Sequence, residues 1–238
     1  MLQPRLDILP PPQRDLWPHL AEIPEHFVLY GGTGLALRLG HRQSVDFDFF
    51  TSENVTPAEL LKSLSFLQGS KILQNTSQTL TVAVARPGQK DLVKFSFFGG
   101  LTSLGRVGEP DRTADNILTV ASLPDLAGTK AAVITQRAEA KDYLDLLAIV
   151  KNGITLPDAM AAATAIYGNQ YNAMMTVKSL AYFADGDVEK LTAQQKDECC
   201  KLSQSVNLRQ LPIINRRSDY LGKCQTPQNK VNEGRENP

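Results

Sequence analysis

The spacing of apolar and polar positions changes character twice along this chain, and each change marks a different kind of element. After a proline-rich start, residues 13–20 predict a short helix that Pro18 limits. Four apolar residues in a row, F-V-L-Y at 27–30, run into Gly31 and Gly32, the pattern of a buried strand ending in a tight turn. Residues 33–39 place Leu35, Ala36, Leu37 and Leu39 in a helical stretch that Gly40 stops. The period then becomes two. Residues 44–50, S-V-D-F-D-F-F, set Val45, Phe47 and Phe49 on one face of a strand and Asp46 and Asp48 on the other.

Further on, residues 57–67 fit a helix begun by the capping residue Thr56. Residues 79–85 and 91–98 fit a hairpin joined through Arg86, Pro87 and Gly88. From Pro124 the pattern becomes helical and alanine-rich through Lys151, and it continues in several helices to about residue 221. The segment after Arg216 is polar and short of core residues, so a frayed tail is expected there. No internal repeat is present.

Composition narrows the partners without naming one. A chain of 238 residues accommodates one large domain, or a compact core with a helical extension. Acidic and basic residues balance at 25 each, so no overall field announces a polyanion or a membrane, and any anion site has to be local. Cys199, Cys200 and Cys224 lack the paired spacing of a zinc or redox site and read as reduced thiols. Residues 1–14 lack the apolar core of a secretory signal, and no apolar run reaches membrane-spanning length. A cytoplasmic protein with no membrane partner is expected.

Two aspartates one residue apart on a strand put both carboxylates on the same face, about 7 Å apart along the strand. Alone, such a pair is most often a solvated strand face. The glycine turn just upstream changes this reading, because it leads into a helix whose first amides and positive dipole end receive phosphate oxygens. A carboxylate pair completed by phosphate oxygens and water is the usual protein site for Mg²⁺, and Mn²⁺ suits the same donors.

If residues 126–150 form one helix, Lys130, Arg137, Lys141 and Asp145 share a face whose cations would neutralise a triphosphate. The bland alternative is a solvated face with a Lys141–Asp145 pair contributing a few tenths of a kcal/mol. A break near residues 138–140 would remove the shared face. Asp142 and Asp145 lie among Leu144, Leu146, Leu147 and Ile149, so one of them is expected to pair with a base inside the fold. His41 and Arg42, just ahead of the aspartate strand, either meet a phosphate or the acceptor, or fix Asp46 by hydrogen bonds. Neither His19 nor His26 has metal-ligand company.

The stretch Y-G-G-T-G-L-A-L-R-L-G-H-R-Q-S-V-D-F-D-F-F at 30–50 resembles the signature of the AbiEii/AbiGii-type nucleotidyltransferase toxins, a branch of the DNA polymerase beta-like superfamily. Two later motifs of that family, L-x-x-x-K and R-D-x-x-D, are similar to L-A-G-T-K at 126–130 and K-D-Y-L-D at 141–145, the latter with lysine in place of arginine. The resemblance covers roughly half of the chain, and its specificity lies in the order of the four motifs. It implies Asp46 and Asp48 as metal ligands, Gly31, Gly32 and Thr33 on the nucleotide phosphates, and Lys130 and Asp145 completing the catalytic set. Arg42, Arg137 and Lys141 join the nucleotide-binding candidates from the reading of charge above.

The fold expected from these elements and the resemblance is α+β. A nucleotidyltransferase core with a mixed twisted sheet flanked by helices spans residues 1–120. A helical region at 121–222 completes the site, and a disordered tail occupies 223–238.

The function implied is metal-dependent transfer of a nucleoside monophosphate from a nucleoside triphosphate to an acceptor hydroxyl. The setting implied is the toxin of a type IV toxin–antitoxin system, with tRNA or a similar acceptor and a cognate antitoxin as partners. Two other readings stay open: a transferase acting on a small antibiotic-type molecule, and a non-catalytic nucleotide-binding module on the same fold. The second of these draws on a departure. Many relatives carry a third carboxylate on a later strand, whereas the polar face of residues 92–98 offers Lys94 and Ser96, and Asp91 has the wrong parity.

Overall fold

The computed structural model describes residues 1–85, 88 and 91–217. The predicted turn residues Arg86 and Pro87, Cys224 and the tail at 223–238 lie outside the described residues. A seven-stranded mixed sheet organises the molecule. In chain order its strands are β1 (Val28–Tyr30), β2 (Asp46–Phe50), β3 (Lys71–Thr76), β4 (Thr79–Val84), β5 (Val93–Phe98), β6 (Asp111–Arg112) and β7 (Thr119–Val120). Across the sheet the order is β3-β4-β5-β2-β1-β7-β6. Strand β2 sits at the centre, antiparallel to β1 and parallel to β5.

The period-two pattern of β2 explains why it is central. Phe47 and Phe49 are fully buried on one face, where they stack on Phe95 and Phe97 of β5 at centroid distances of 5.0 and 5.4 Å. Burial of each such side chain contributes roughly 1.5–3 kcal/mol, and the ring geometry about 0.5–1.5 kcal/mol per pair. The N-terminal helix α1 (Pro11–Leu16), the turn carrying Trp17 and Leu20, and α3 (Pro57–Ser63) cover that face.

The opposite face receives the helical half of the chain. Helices α2 (Gly31–Leu39), α4 (Leu123–Val133), α5 (Ala140–Lys151) and α6 (Leu156–Tyr167) share a second core with Val28 and Tyr30 of β1. Two more helices, α7 (Ala173–Ser179) and α8 (Ala193–Ser205), close that layer. Among the described residues no single helix is long and apolar enough to cross a membrane.

Several expectations are corrected. Val45 does not join Phe47 and Phe49 in the core: it precedes β2 and is 59% exposed. The predicted helix at 57–67 stops at Ser63 and continues as a 3₁₀ turn at Ser65–Leu67, and the Thr56 side chain makes no capping bond. Residues 126–150 are two helices, separated at 134–139. Strands β3, β6 and β7 were not anticipated. All of β3 is exposed, so K-I-L-Q-N-T carries no buried face for periodicity to reveal, and β6 and β7 are only two residues long each.

Candidate active site

Where the helices leave the centre of the sheet uncovered, a cleft of about 520 Å³ opens over Asp46 and Asp48. The parallel register of β2 and β5 places Lys94 beside Asp46 and Ser96 beside Asp48. The Lys94 ammonium lies 3.1 Å from Asp46 Oδ2. Burial raises the Asp48 carboxyl above the usual carboxylate range, and the neighbouring Asp46 charge adds to this. The Lys94 charge, a hydrogen bond with Ser96 and the Lys130 charge pull the other way without cancelling it.

The glycine turn forms the rim. Gly31 adopts φ +68°, and a Cβ there would lie 2.6 Å from Asp48 Oδ2. The left-handed backbone and the close approach to Asp48 both require glycine. Gly31 and Gly32 begin α2 and line the cleft, whereas Thr33 does not. The Thr33 side chain is fully buried and its hydroxyl donates to the Asp46 carbonyl. Thr33 therefore clamps the aspartate strand, and the expectation that it holds phosphate is corrected.

The helical wall presents Lys130, Arg137 and Lys141, and Arg42 lines the same cleft beside Lys130, both held on Asp145. Lys130 is set by two carboxylates, at 2.7 Å from Asp142 Oδ1 and 2.6 Å from Asp145 Oδ2. Arg42 grips Asp145 with both Nε and Nη2, at 2.6 and 2.8 Å, and His41 Nε2 lies 2.7 Å from the same carboxylate. Arg137 donates from Nε to Asp142 at 2.8 Å. Burial opposes both charges, but it is outweighed. The His41 hydrogen bond and the Lys130 and Arg42 charges hold Asp145 well below the usual range, and Arg137 and Lys130 lower Asp142.

Asp145 therefore does not reach the cleft as expected. It is fully buried behind the wall, where it fixes the cations that do line it. His41 and Arg42 fix Asp145 and not Asp46. Lys141 pairs with Glu139 at 2.8 Å and not with Asp145, whose oxygens are taken by Lys130, Arg42 and His41. The break between α4 and α5 removes the single shared face, yet the fold still brings Lys130, Arg137 and Lys141 to one cleft.

An aromatic recess of about 260 Å³ adjoins the cleft and shares Asp48, Lys130 and Arg137 with it. Tyr30 stacks on Phe50 at 4.9 Å, Phe98 meets Phe50 edge-on at 5.2 Å, and Val133 and Tyr167 close the far side. Burial pushes the Tyr167 hydroxyl up to about 12, so it stays neutral. Parity makes this recess readable in retrospect, because Phe50 follows Asp46 and Asp48 on their own face of β2.

Among the described residues no group of three or more His, Cys, Asp or Glu side chains forms a ready metal cage. Asp46 and Asp48, with the Ser96 hydroxyl beside them, form an oxygen-only donor set. That set fits a hard divalent cation whose other positions go to water and phosphate. The ammonium already seated on Asp46 shows that this position attracts positive charge.

The sequence profile described as nucleotidyl transferase AbiEii toxin, type IV TA system, matches residues 16–204. An uncharacterized protein of Aquifex aeolicus (strain VF5), aq_aa25, is 33% identical over 166 residues, 68% of this chain and 76% of that protein. JHP933 from Helicobacter pylori superimposes with a TM-score of 0.52 at 18% identity, over 81% of this chain and 87% of that one. MenT4, a nucleotidyltransferase toxin from Mycobacterium tuberculosis H37Rv, gives 0.52 at 14% identity, over 80% and 82% of the two chains. At these identities the two structures speak for the fold alone.

Proposed function

The chain belongs to the AbiEii nucleotidyl transferase toxin family, and on that premise we propose that the cleft over Asp46 and Asp48 transfers a nucleotidyl group from a nucleoside triphosphate to an acceptor hydroxyl. The family implies a nucleoside triphosphate substrate and an antitoxin partner. The observation that carries the site assignment is the meeting of two cleft-facing carboxylates with Arg42, Lys130, Arg137 and Lys141 in one cleft.

The triphosphate lies along the basic side, against the start of α2 and the helical wall. Its base enters the aromatic recess, where Tyr30, Phe50 and Phe98 offer ring surfaces. A divalent ion, Mg²⁺ or Mn²⁺, held by Asp46 and Asp48 would supply Lewis-acid stabilisation of the phosphoryl oxygens. The acceptor oxygen bonds to the α-phosphorus as the bridging bond to the β-phosphate breaks. Pyrophosphate leaves, and the acceptor's proton passes to solvent. Lys130 and Arg137, fixed by Asp142 and Asp145, stabilise the charge spread over the phosphoryl oxygens without having to reorganise.

The acceptor we favour is tRNA, and the setting is the cytoplasm, where triphosphates and tRNA meet. In the test, the purified chain is incubated with Mg²⁺, total tRNA and each of the four α-labelled triphosphates in turn, beside an Asp46→Ala/Asp48→Ala variant. Label on tRNA with the native chain and none with the variant is the expected result. No label from any triphosphate, with nucleotide binding unchanged in the variant, would sink the reading.

A further inference from the structure

Strand β5 sets two unlike side chains against the acidic pair. Lys94 lies in register with Asp46, and Ser96 lies in register with Asp48. The polar face of β2 and β5 at this point thus carries two carboxylates, one ammonium and one hydroxyl. The ammonium is bound to Asp46 Oδ2 at 3.1 Å, yet the Lys94 side chain keeps 40% of its surface open to the cleft.

Sites that work with two divalent ions hold them roughly 3.5–4 Å apart over shared oxygen ligands. On this sheet face the flank of Asp46 toward β5 is already filled by a cation, and β5 contributes no further carboxylate. One divalent ion on Asp46 and Asp48 brings the face to a small net positive charge. A second would sit against the Lys94 ammonium with no added anion to screen it.

We infer that Lys94 is the resident second cation of this site. Its ammonium moves from Asp46 to a phosphate oxygen of the bound triphosphate, and a single divalent ion completes the centre. A lysine suits this exchange. Its ammonium is a compact charge with three rotatable donors on a flexible stem, so it can pass between two oxygens within the cleft. Ser96, with no charge of its own, supports Asp48 by its hydrogen bond and leaves the charge balance to Lys94. The inference rests on the nucleotide-binding reading above and adds to it the number of metal ions and the residue that replaces one of them.

Mn²⁺ counting by electron paramagnetic resonance tests it without requiring turnover. The chain, in excess, is titrated with Mn²⁺ in the presence of each α,β-methylene nucleoside triphosphate in turn. The native chain and Lys94→Arg are expected to hold one Mn²⁺ per bound nucleotide, and Lys94→Ala/Ser96→Asp is expected to hold two. In EDTA, Lys94→Ala is expected to lose roughly tenfold in affinity for the same analogue, the worth of one hydrogen bond to a charged group. Two Mn²⁺ per nucleotide in the native chain would overturn the lysine assignment while leaving nucleotide binding intact. So would one in the folded double variant. Failure of the native chain to bind any analogue, with or without Mn²⁺, would overturn the parent reading and this one together.

Discussion

Two pairs of aspartates, Asp46 with Asp48 and Asp142 with Asp145, carry the same chemistry into opposite surroundings. The strand pair faces an open cleft with Lys94 in contact with Asp46, and the Asp48 carboxyl is held above its ordinary range. The helix pair is fully buried among Lys130, Arg137, Arg42 and His41, and both of its carboxyls are held below theirs. Charge left under-compensated is charge available to a ligand. Charge fully compensated is a scaffold. The difference fits the proposed division of labour, in which the strand pair meets substrate and the helix pair orients the cations that line the cleft.

The sharpest way to break this comparison is to remove one member of each pair. Asp145→Ala strands Lys130, Arg42 and His41 around a buried hole. Breaking such a buried arrangement costs about 3–5 kcal/mol, to be read from urea denaturation. Asp46→Ala removes a partly exposed carboxylate and is expected to cost under about 1 kcal/mol of stability, as for a surface pair, while abolishing label transfer. Equal destabilisation by the two substitutions would mean that the strand pair is structural as well.

The next largest effect is expected at the rim that touches the strand pair. Gly31→Ala forces a Cβ into a backbone conformation that costs roughly 1–2 kcal/mol for an L-residue. The same Cβ would press on Asp48 Oδ2 from 2.6 Å. Nucleotide affinity, followed by calorimetry, is expected to fall more than the stability loss alone predicts, because Asp48 must turn aside. An alanine variant that loses stability but keeps native affinity would detach Gly31 from the site.

Much of this arrangement was legible in the sequence, for identifiable physical reasons. The alternation V-D-F-D-F-F fixed both the core face of β2 and the cleft face, since strand parity leaves no other choice for Phe47, Phe49, Asp46 and Asp48. Buried leucines around Asp142 and Asp145 signalled an internal pair. What stayed hidden depends on contacts distant in the chain. Arg42 and Asp145 are 103 residues apart, and nothing local in H-R-Q-S reveals that its basic pair reaches back to α5. The hydroxyl of Thr33 had two plausible uses, a phosphate or a carbonyl, and only the approach of β2 to α2 decides between them. Edge strand β3, exposed on every residue, leaves no trace in a hydrophobic pattern.

The smallest predicted effect, in protonation, separates the two pairs by sign. Asp142 and Asp145 have folded-state pKa values below their unfolded ones. They add stability above about pH 4, and that stability is lost as the pH falls further, through their folded values. Asp48 is raised, so its ionised form costs stability at neutral pH, and that cost is relieved as the pH falls through its folded value. Asp48→Asn keeps the shape and removes the charge. At neutral pH the variant is therefore expected to melt a few degrees above the native chain while failing to transfer label. The gap should close as the pH falls through the raised folded value of native Asp48 and be gone below the ordinary carboxylate value of about 4. Below that, the two proteins should lose stability in parallel as Asp142 and Asp145 take up protons. Melting curves of both at descending pH read all three regimes. A gap independent of pH would show that the burial of Asp48 is already balanced by Lys94, Ser96 and Lys130, and that the two aspartate pairs differ in exposure alone.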